Sequence, residues 1–175
     1  MKPFVLIIYG PVCAGKSVTA KYLMDKLPGL FRVSIDKVKF LISDFTTAKY
    51  PLLPNQMVLD LATMALEAGL SLVVEGNRTI QKELWKNYEV LAQKHGARFF
   101  EINIEANPDT LVERFKDRVV QAKAKEKKLS FTTIEAMVER NEDYFKMKKP
   151  NLLTLSSNEL TVEERGEKIL ALLKA

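Results

Sequence analysis

One stretch near the start of the chain reads Gly10-Pro11-Val12-Cys13-Ala14-Gly15-Lys16-Ser17 and fulfils the pattern G-x-x-x-x-G-K-[ST]. Glycines let the backbone turn tightly and direct its amide groups towards one point. The lysine adds a cation at that point and the serine adds a hydroxyl. These residue types in this order form a cradle for phosphate groups, so all eight residues are predicted to contact a phosphate-bearing ligand.

The flanks of this loop carry the context that the pattern requires. Phe4 to Tyr9 is a run of six apolar residues, which predicts a strand buried on both faces. Ser17 to Leu27 predicts a helix that Pro28 and Gly29 end. A helix that begins at the loop presents its free amides and positive dipole end to the same anion. We therefore expect ATP as the ligand, with Lys16 at the outer phosphates and Ser17 on Mg²⁺.

Beyond the loop, short apolar runs alternate with longer segments of helical period. This alternation is typical of an α/β fold in three layers, with helices on both faces of a parallel sheet. Among the helices, Asn55 to Ala68 is predicted to bury a face formed by Met57, Leu61, Met64, Ala65 and Ala68. The further predicted strands are Phe31 to Ile35, Leu70 to Val74, Ala97 to Ile104 and Leu152 to Leu155.

Composition and charge limit the kind of protein. The 175 residues, of which 47% are apolar, are typical of a single globular domain, residues 1–175. Cys13 is the only cysteine, so no internal disulfide can form. The sequence contains neither a signal core nor the roughly 18 apolar residues of a membrane span, so we expect a cytoplasmic protein without a membrane partner. The net charge of +5 suits an anionic ligand, either a nucleotide or a nucleic acid.

Two carboxylates follow predicted strands. Asp36 comes directly after the second strand, and Glu75 after the third. Ligands of open parallel sheets bind beyond the carboxyl ends of the strands, so both side chains are expected near the γ-phosphate. Asp36 would bind the acceptor and take the proton of its hydroxyl as the base, or alternatively cap a helix that begins at Lys37. Glu75 would hold Mg²⁺ together with Ser17, or act as the base in place of Asp36.

Basic residues are expected around the acceptor and the transferred group. Lys39 and Arg78 are candidates for acceptor binding, with surface positions as the alternative. Arg114 and Arg118 are four residues apart and share one helix face, so they can supply cations to the migrating phosphoryl group. The lysine-rich segment after them, approximately residues 118–131, is predicted to form a closing lid.

Taken together, these features resemble the small P-loop kinases. The resemblance is carried by residues 10–17, Ser34-Ile35-Asp36, Leu72 to Glu75 and the pair Arg114 and Arg118. The group includes gluconate, shikimate, adenylate, chloramphenicol, polynucleotide and zeta-toxin-like kinases. The resemblance implies a P-loop NTPase fold with five parallel strands in the order 2-3-1-4-5 and a helical lid. It also implies that adenine packs near Ser156 and Asn158.

Three departures prevent assignment of the acceptor by resemblance. Shikimate kinases have a second acid where this chain has Ser34. The run Glu75-Gly76-Asn77-Arg78 matches neither their glycine triplet nor the acid-Gly-x-Pro-Arg motif of adenylate kinases. Polynucleotide kinases usually carry two adjacent acids where this chain has Asp36-Lys37.

Three functions are therefore compared. The first is an ATP-dependent kinase that phosphorylates a hydroxyl or a phosphate of a small molecule or nucleotide. The second is a nucleic-acid 5′-hydroxyl kinase, which the basic charge favours. The third is a nucleotide-binding regulatory module without kinase activity. A kinase requires an acceptor pocket beside Asp36, for which Phe40, Phe45 and Tyr50 are candidate walls.

Overall fold

The computed structural model describes residues 2–76, 82–126, 129, 132–147 and 151–175. For residues 82–84 and 147 it describes the backbone only. Within these ranges, strands and helices alternate along most of the chain. The strands are β1 Phe4–Tyr9, β2 Leu30–Ser34, β3 Ser71–Gly76, β4 Arg98–Glu105 and β5 Leu153–Ser156. The helices are α1 Lys16–Lys26, α2 Ile35–Lys39, α3 Leu53–Glu67, α4 Lys82–Lys94, α5 Pro108–Ala124, α6 Ile134–Met147 and α7 Val162–Lys174.

The five strands form one parallel sheet in the order β2-β3-β1-β4-β5, as predicted. The central strand β1 pairs with β3 on one side and β4 on the other, so that Ile8 aligns with Glu75 and with Ile102. Such a sheet places its ligand crevice at the carboxyl end where the strand order reverses, next to β1. The loop formed by residues 10–17, which follows β1, lies at that point.

Two apolar clusters cover the two faces of the sheet. The side chains of β1 alternate between them, with Val5, Ile7 and Tyr9 in one cluster and Phe4, Leu6 and Ile8 in the other. The first cluster also contains residues of α3 and α4, and the second contains residues of α1 and α7. Burial on both faces explains why the sequence of β1 is apolar throughout rather than alternating.

The buried face of α3 differs from the prediction. The structure buries Pro54, Val58, Ala62, Ala65 and Leu66, whereas Leu61 is 40% exposed and Met64 is 65% exposed. Apolar residues occur on most sides of this helix, so the period of the pattern does not fix which side packs. The side with small and β-branched residues packs against the sheet, because these residues allow a close approach.

Helix ends also differ from the prediction. Helix α2 covers Ile35–Lys39 and so begins before the predicted Lys37. It ends at Lys39 because the amides of Leu41 and Ile42 bond to carbonyls three residues back and tighten the chain into turns. Helix α3 begins at Leu53, with Pro54 in its first turn.

None of the helices in the described residues is long and apolar enough to cross a membrane.

Candidate functional site

The backbone of the loop formed by residues 10–17 requires glycine at two positions. Gly10 has a φ of 156°, and a Cβ there would lie 2.1 Å from the carbonyl oxygen of Ile104 on β4. Gly15 has a φ of 100°, and Cys13 also adopts a positive φ, of 67°. The two glycines are therefore required by the left-handed backbone and, at Gly10, by contact with the neighbouring strand.

Lys16 folds back over this loop. Its ammonium donates hydrogen bonds to the carbonyl oxygens of Gly10, at 2.7 Å, and Pro11, at 2.6 Å. Burial lowers the pKa of Lys16 to about 8, although the charges of Glu75 and Asp36 act in the opposite direction. The charge of Arg118 lowers this pKa further. The predicted residues Asp36, Glu75 and Arg118 thus lie within electrostatic reach of the Lys16 ammonium.

Glu75, on β3, connects the loop to the sheet. One oxygen of its carboxylate accepts a hydrogen bond from the Ser17 hydroxyl, and the other accepts from Nε of Arg32 on β2. The Glu75 side chain is only 7% exposed, so its charge needs a partner, and Arg32 provides it. Arg32 was not among the predicted site residues, although a charged residue between Phe31 and Val33 in a strand was a signal for it.

Ser17 and Glu75 fit the magnesium role predicted for them. They bring a hydroxyl and a carboxylate together at the start of α1, and both are oxygen ligands of the kind that Mg²⁺ prefers. The described residues contain no cluster of three or more His, Cys, Asp or Glu side chains suited to a metal. Mg²⁺ beside phosphates commonly uses one or two protein ligands, and this pair fits that number.

Asp36 lies in the first turn of α2, where its side chain is 58% exposed. Its Oδ1 is 3.6 Å from the ammonium of Lys39, another predicted residue. The alternative of a capping role is wrong, because α2 begins at Ile35 and its N-cap residue is Ser34. The carboxylate of Asp36 is therefore not engaged in helix capping.

Arg114 and Arg118 both lie on α5, but their environments differ. Arg114 is half-buried and donates to the hydroxyl and carbonyl oxygens of Ser157, at 2.8 and 2.9 Å, and to the carbonyl oxygen of Cys13, at 3.4 Å. It joins the phosphate loop to the segment between β5 and α7. Arg118 is exposed and influences Lys16 through its charge.

Helix α6 contributes two residues that the sequence reasoning missed. Asn141 is 5% exposed, and its side-chain oxygen accepts a hydrogen bond of 2.6 Å from the amide of Val12 in the loop. Its neighbour Arg140 is half-buried, and burial lowers its pKa, whereas the charges of Asp143 and Asp36 raise it. The signal for Asn141 was a polar residue on the apolar face formed by Met137 and Tyr144.

Two cavities are lined by residues that the sequence analysis singled out. One, of about 530 Å³, is bordered by Ser156 and Asn158, the residues predicted near adenine. The side chain of Asn158 is itself engaged, since it accepts from the amide of Asn107 at 2.8 Å and donates to Thr110 at 2.8 Å. The other cavity, of about 500 Å³, lies between the α2 region and α5. We call this second space the α2–α5 cavity.

Some predicted residues cannot be placed. Arg78 lies outside the described residues, as do 127, 128, 130 and 131 of the predicted lid. The first part of the lid segment, residues 118–124, belongs to the continuous helix α5. The lid is therefore still a prediction.

Comparison with known proteins agrees with this geometry. Residues 5–143 match the family described as AAA domain. No curated protein matches the sequence.

Similar solved structures share the whole architecture at low sequence identity. A candidate kinase from Chloroflexus aurantiacus is 18% identical, with a TM-score of 0.73 over 98% of both chains. The APS kinase CysC of Mycobacterium tuberculosis, in complex with AMPPNP and APS, is 19% identical, with a TM-score of 0.68 over 99% of both chains. The tunicamycin resistance protein of Deinococcus radiodurans is 17% identical, with a TM-score of 0.62 over 98% of this chain and 95% of that one. The chain described here belongs to the AAA domain family and has the fold of the small P-loop kinases.

Proposed function

We propose that this protein is an ATP-dependent phosphotransferase that moves the γ-phosphoryl group to a hydroxyl or phosphate of a small molecule or nucleotide. The observation that carries the proposal is the phosphate loop itself, in which the Lys16 ammonium lies over the loop carbonyls and the Ser17 hydroxyl bonds to Glu75. The charges of Glu75 and Asp36 raise the pKa of Lys16 and that of Arg118 lowers it, so these residues of three separate elements lie within electrostatic reach of its ammonium. Phosphoryl transfer needs this combination of charge stabilisation and a base.

Each side chain has a role that its position supports. Lys16 and Arg118 stabilise negative charge on the phosphoryl oxygens during transfer. Ser17 and Glu75 would hold Mg²⁺, which neutralises charge on the phosphates when it is bound. Arg32 donates a hydrogen bond from Nε to the carboxylate of Glu75 and holds it in place.

Asp36 is proposed as the base when the acceptor is a hydroxyl. The acceptor oxygen forms a bond to the γ-phosphorus, the bond from that phosphorus to the bridging oxygen breaks, and ADP leaves. The hydroxyl proton passes to the carboxylate of Asp36. Its exposure of 58% supports this role, because an acceptor can reach it from solvent.

The first test is a search for products. The protein is incubated with ATP, Mg²⁺ and separate pools of sugars, nucleosides, nucleotides and 5′-hydroxyl oligonucleotides, and new phosphorylated species are identified by mass spectrometry. Lys16→Ala serves as the inactive control. We expect a product in a small-molecule pool that is absent with the control.

Other outcomes identify the alternatives. A product only with oligonucleotides would indicate the nucleic-acid kinase. A similar structure occurs in the Pnkp1/Rnl/Hen1 RNA repair complex, and it is 17% identical over 83% of this chain and 45% of that one. Tight ATP binding without any product would favour the regulatory module.

A further inference from the structure

The α2–α5 cavity has a lining that restricts what it can bind. Aromatic and aliphatic side chains form most of its wall, and two lysines and one glutamate add charge. Phe45 in the wall is half-buried and stacks on Tyr50, with ring centroids 6.3 Å apart and an interplanar angle of 20°. Phe40 in the wall is 44% exposed. Exposed aromatic rings beside a cavity favour a flat apolar ligand, because binding removes their surface from water.

Lys39 joins this cavity to the proposed base. Its side chain lines the cavity, and its ammonium is 3.6 Å from Oδ1 of Asp36. A molecule in the cavity can therefore present a hydroxyl to Asp36. This connection makes the cavity the acceptor side of the site.

Helix α5 forms one wall of the cavity. Arg118 acts on Lys16, Val119 begins the wall of the cavity, and Lys123 lines it one helical turn further on. A helix rises about 1.5 Å per residue, so Lys123 lies roughly 7 Å along the helix from Arg118. One side of the cavity thus follows α5 from Val119, next to Arg118, to Lys123.

Lys123 is the cation at the far part of this wall. It forms no ion pair in the described ranges, although the carboxylate of Glu126 also lines the cavity. Lys39 is already paired with Asp36. The lining therefore carries two cations and one anion, and Lys123 is available to a negative group of the ligand.

We propose that the acceptor is a small aromatic molecule with a hydroxyl at one end and an anionic group, such as a carboxylate, phosphate or sulfate, at the other. The hydroxyl lies at Asp36, the ring lies beside Phe40 and Phe45, and the anion pairs with Lys123. This inference rests on the proposed phosphotransferase function, since it identifies the class of acceptor for the same site.

Three matched probes test the proposal by direct binding. 4-(Hydroxymethyl)benzoate has the ring, the hydroxyl and the anion, 4-methylbenzyl alcohol lacks the anion, and 4-(hydroxymethyl)cyclohexanecarboxylate lacks the flat ring. Dissociation constants are measured by NMR titration of the protein saturated with AMPPNP and Mg²⁺. We expect the benzoate to bind about tenfold more tightly than either analogue, since a charge-assisted pair and a ring contact are each worth about this factor.

Variants assign the effect to the cavity. Lys123→Gln should remove the advantage of the benzoate over the alcohol, whereas Lys125→Gln, which changes a nearby exposed lysine outside the cavity lining, should keep it. The proposal is overturned if none of the probes binds, if the benzoate and alcohol bind within twofold of each other, or if Lys123→Gln retains the difference.

The phosphotransferase proposal is judged separately in the same samples. With ATP in place of AMPPNP, transfer to any hydroxyl compound supports it, even where the ranking of the probes contradicts the acceptor class. The opposite result is also informative. If the probes bind in the predicted order but no compound of the product search is phosphorylated, the ligand class is supported and the kinase activity is contradicted.

Discussion

The donor half and the acceptor half of the site differ in how their carboxylates are held. We define the donor half as residues 10–17 with Arg32, Glu75 and Asn141, and the acceptor half as Asp36 with the α2–α5 cavity. Glu75 is 7% exposed and bonded on both sides, whereas Asp36 is 58% exposed and its ion-pair partner Lys39 is 3.6 Å away. The difference indicates that the donor half is fixed in advance, while the acceptor half leaves its base accessible.

This contrast has a physical basis. The donor binds through phosphates whose charge and shape do not vary, so fixed dipoles and cations can be arranged for them before binding. An acceptor must bring its own hydroxyl to the base, so the base has to face a space that a ligand can enter. The following variants test whether the two halves behave differently.

The largest effect is expected for Lys16→Ala in the donor half. Removal of the ammonium that lies over the loop should weaken ATP binding about 10³-fold, equivalent to about 4 kcal/mol, because a cation facing several phosphate oxygens is lost. Isothermal titration with ATP and Mg²⁺ measures this change. Lys21→Ala on the same helix, where the lysine is 70% exposed and paired with Asp25, should bind normally. An unchanged affinity in Lys16→Ala would refute the nucleotide assignment.

A smaller effect is expected for Arg118→Ala, because Arg118 belongs to neither half and is proposed to contact the phosphoryl group during transfer. Turnover should fall about 10²-fold, or about 2.7 kcal/mol, while ATP affinity changes little, because the guanidinium stabilises charge that develops during transfer. Steady-state kinetics at saturating substrates measure this difference. Lys116→Ala, an exposed residue of α5, is the control. Full turnover in Arg118→Ala would show that Arg118 is only a surface residue.

Arg32→Met tests how the donor half is held together. The change leaves the poorly exposed carboxylate of Glu75 without its cation, so we expect a loss of about 2 kcal/mol in the free energy of unfolding and a higher Mg²⁺ requirement. Urea titration and the dependence of turnover on Mg²⁺ measure these effects.

The double variant Arg32→Met/Glu75→Met separates stability from function. It should regain most of the stability, because no uncompensated charge is left, but it should not regain turnover. If Arg32→Met alone changed neither stability nor the Mg²⁺ requirement, the ion pair would have no positioning role.

The smallest effect is expected for Asn141→Ala. The amide of Val12 loses its acceptor at 2.6 Å, which should cost about 1 kcal/mol of stability and lower turnover less than tenfold. Glu139→Ala, at an exposed position of the same helix, is the control. Equal melting temperatures and equal turnover in the two variants would show that α6 does not support the loop.

The phosphate loop could be predicted from the sequence more completely than the rest of the site. Residues 10–17 are contiguous, so a local pattern identified the phosphate loop, and the strand and helix beside it identified the sheet. Asp36 and Glu75 were predicted near the loop because parallel strands bring their carboxyl ends to one edge, and both lie within electrostatic reach of Lys16. These inferences use only local sequence and the topology of the sheet.

Residues that act across elements could not be found in this way. Arg32, Asn141 and Lys123 lie on β2, α6 and α5, and their contacts with Glu75, Val12 and the cavity arise only when those elements pack together. Tyr50 shows the same limit, since it stacks on Phe45 and does not line the cavity. The predicted buried face of α3 is correct at Ala65 but wrong at Leu61 and Met64, because the apolar residues of this helix occur on several sides.

The most direct test of the account is turnover of Asp36→Asn at saturating ATP, Mg²⁺ and acceptor, measured together with ATP affinity and melting temperature. Asparagine has the same size but cannot take a proton, and general-base assistance is worth about 10²–10⁴ in rate. We predict turnover reduced by that factor with nearly normal ATP affinity and melting, because the Asp36 side chain is 58% exposed and reaches the donor half through its charge on Lys16. Normal melting with full turnover would contradict the assignment of Asp36 as the base and the division of the site into two halves.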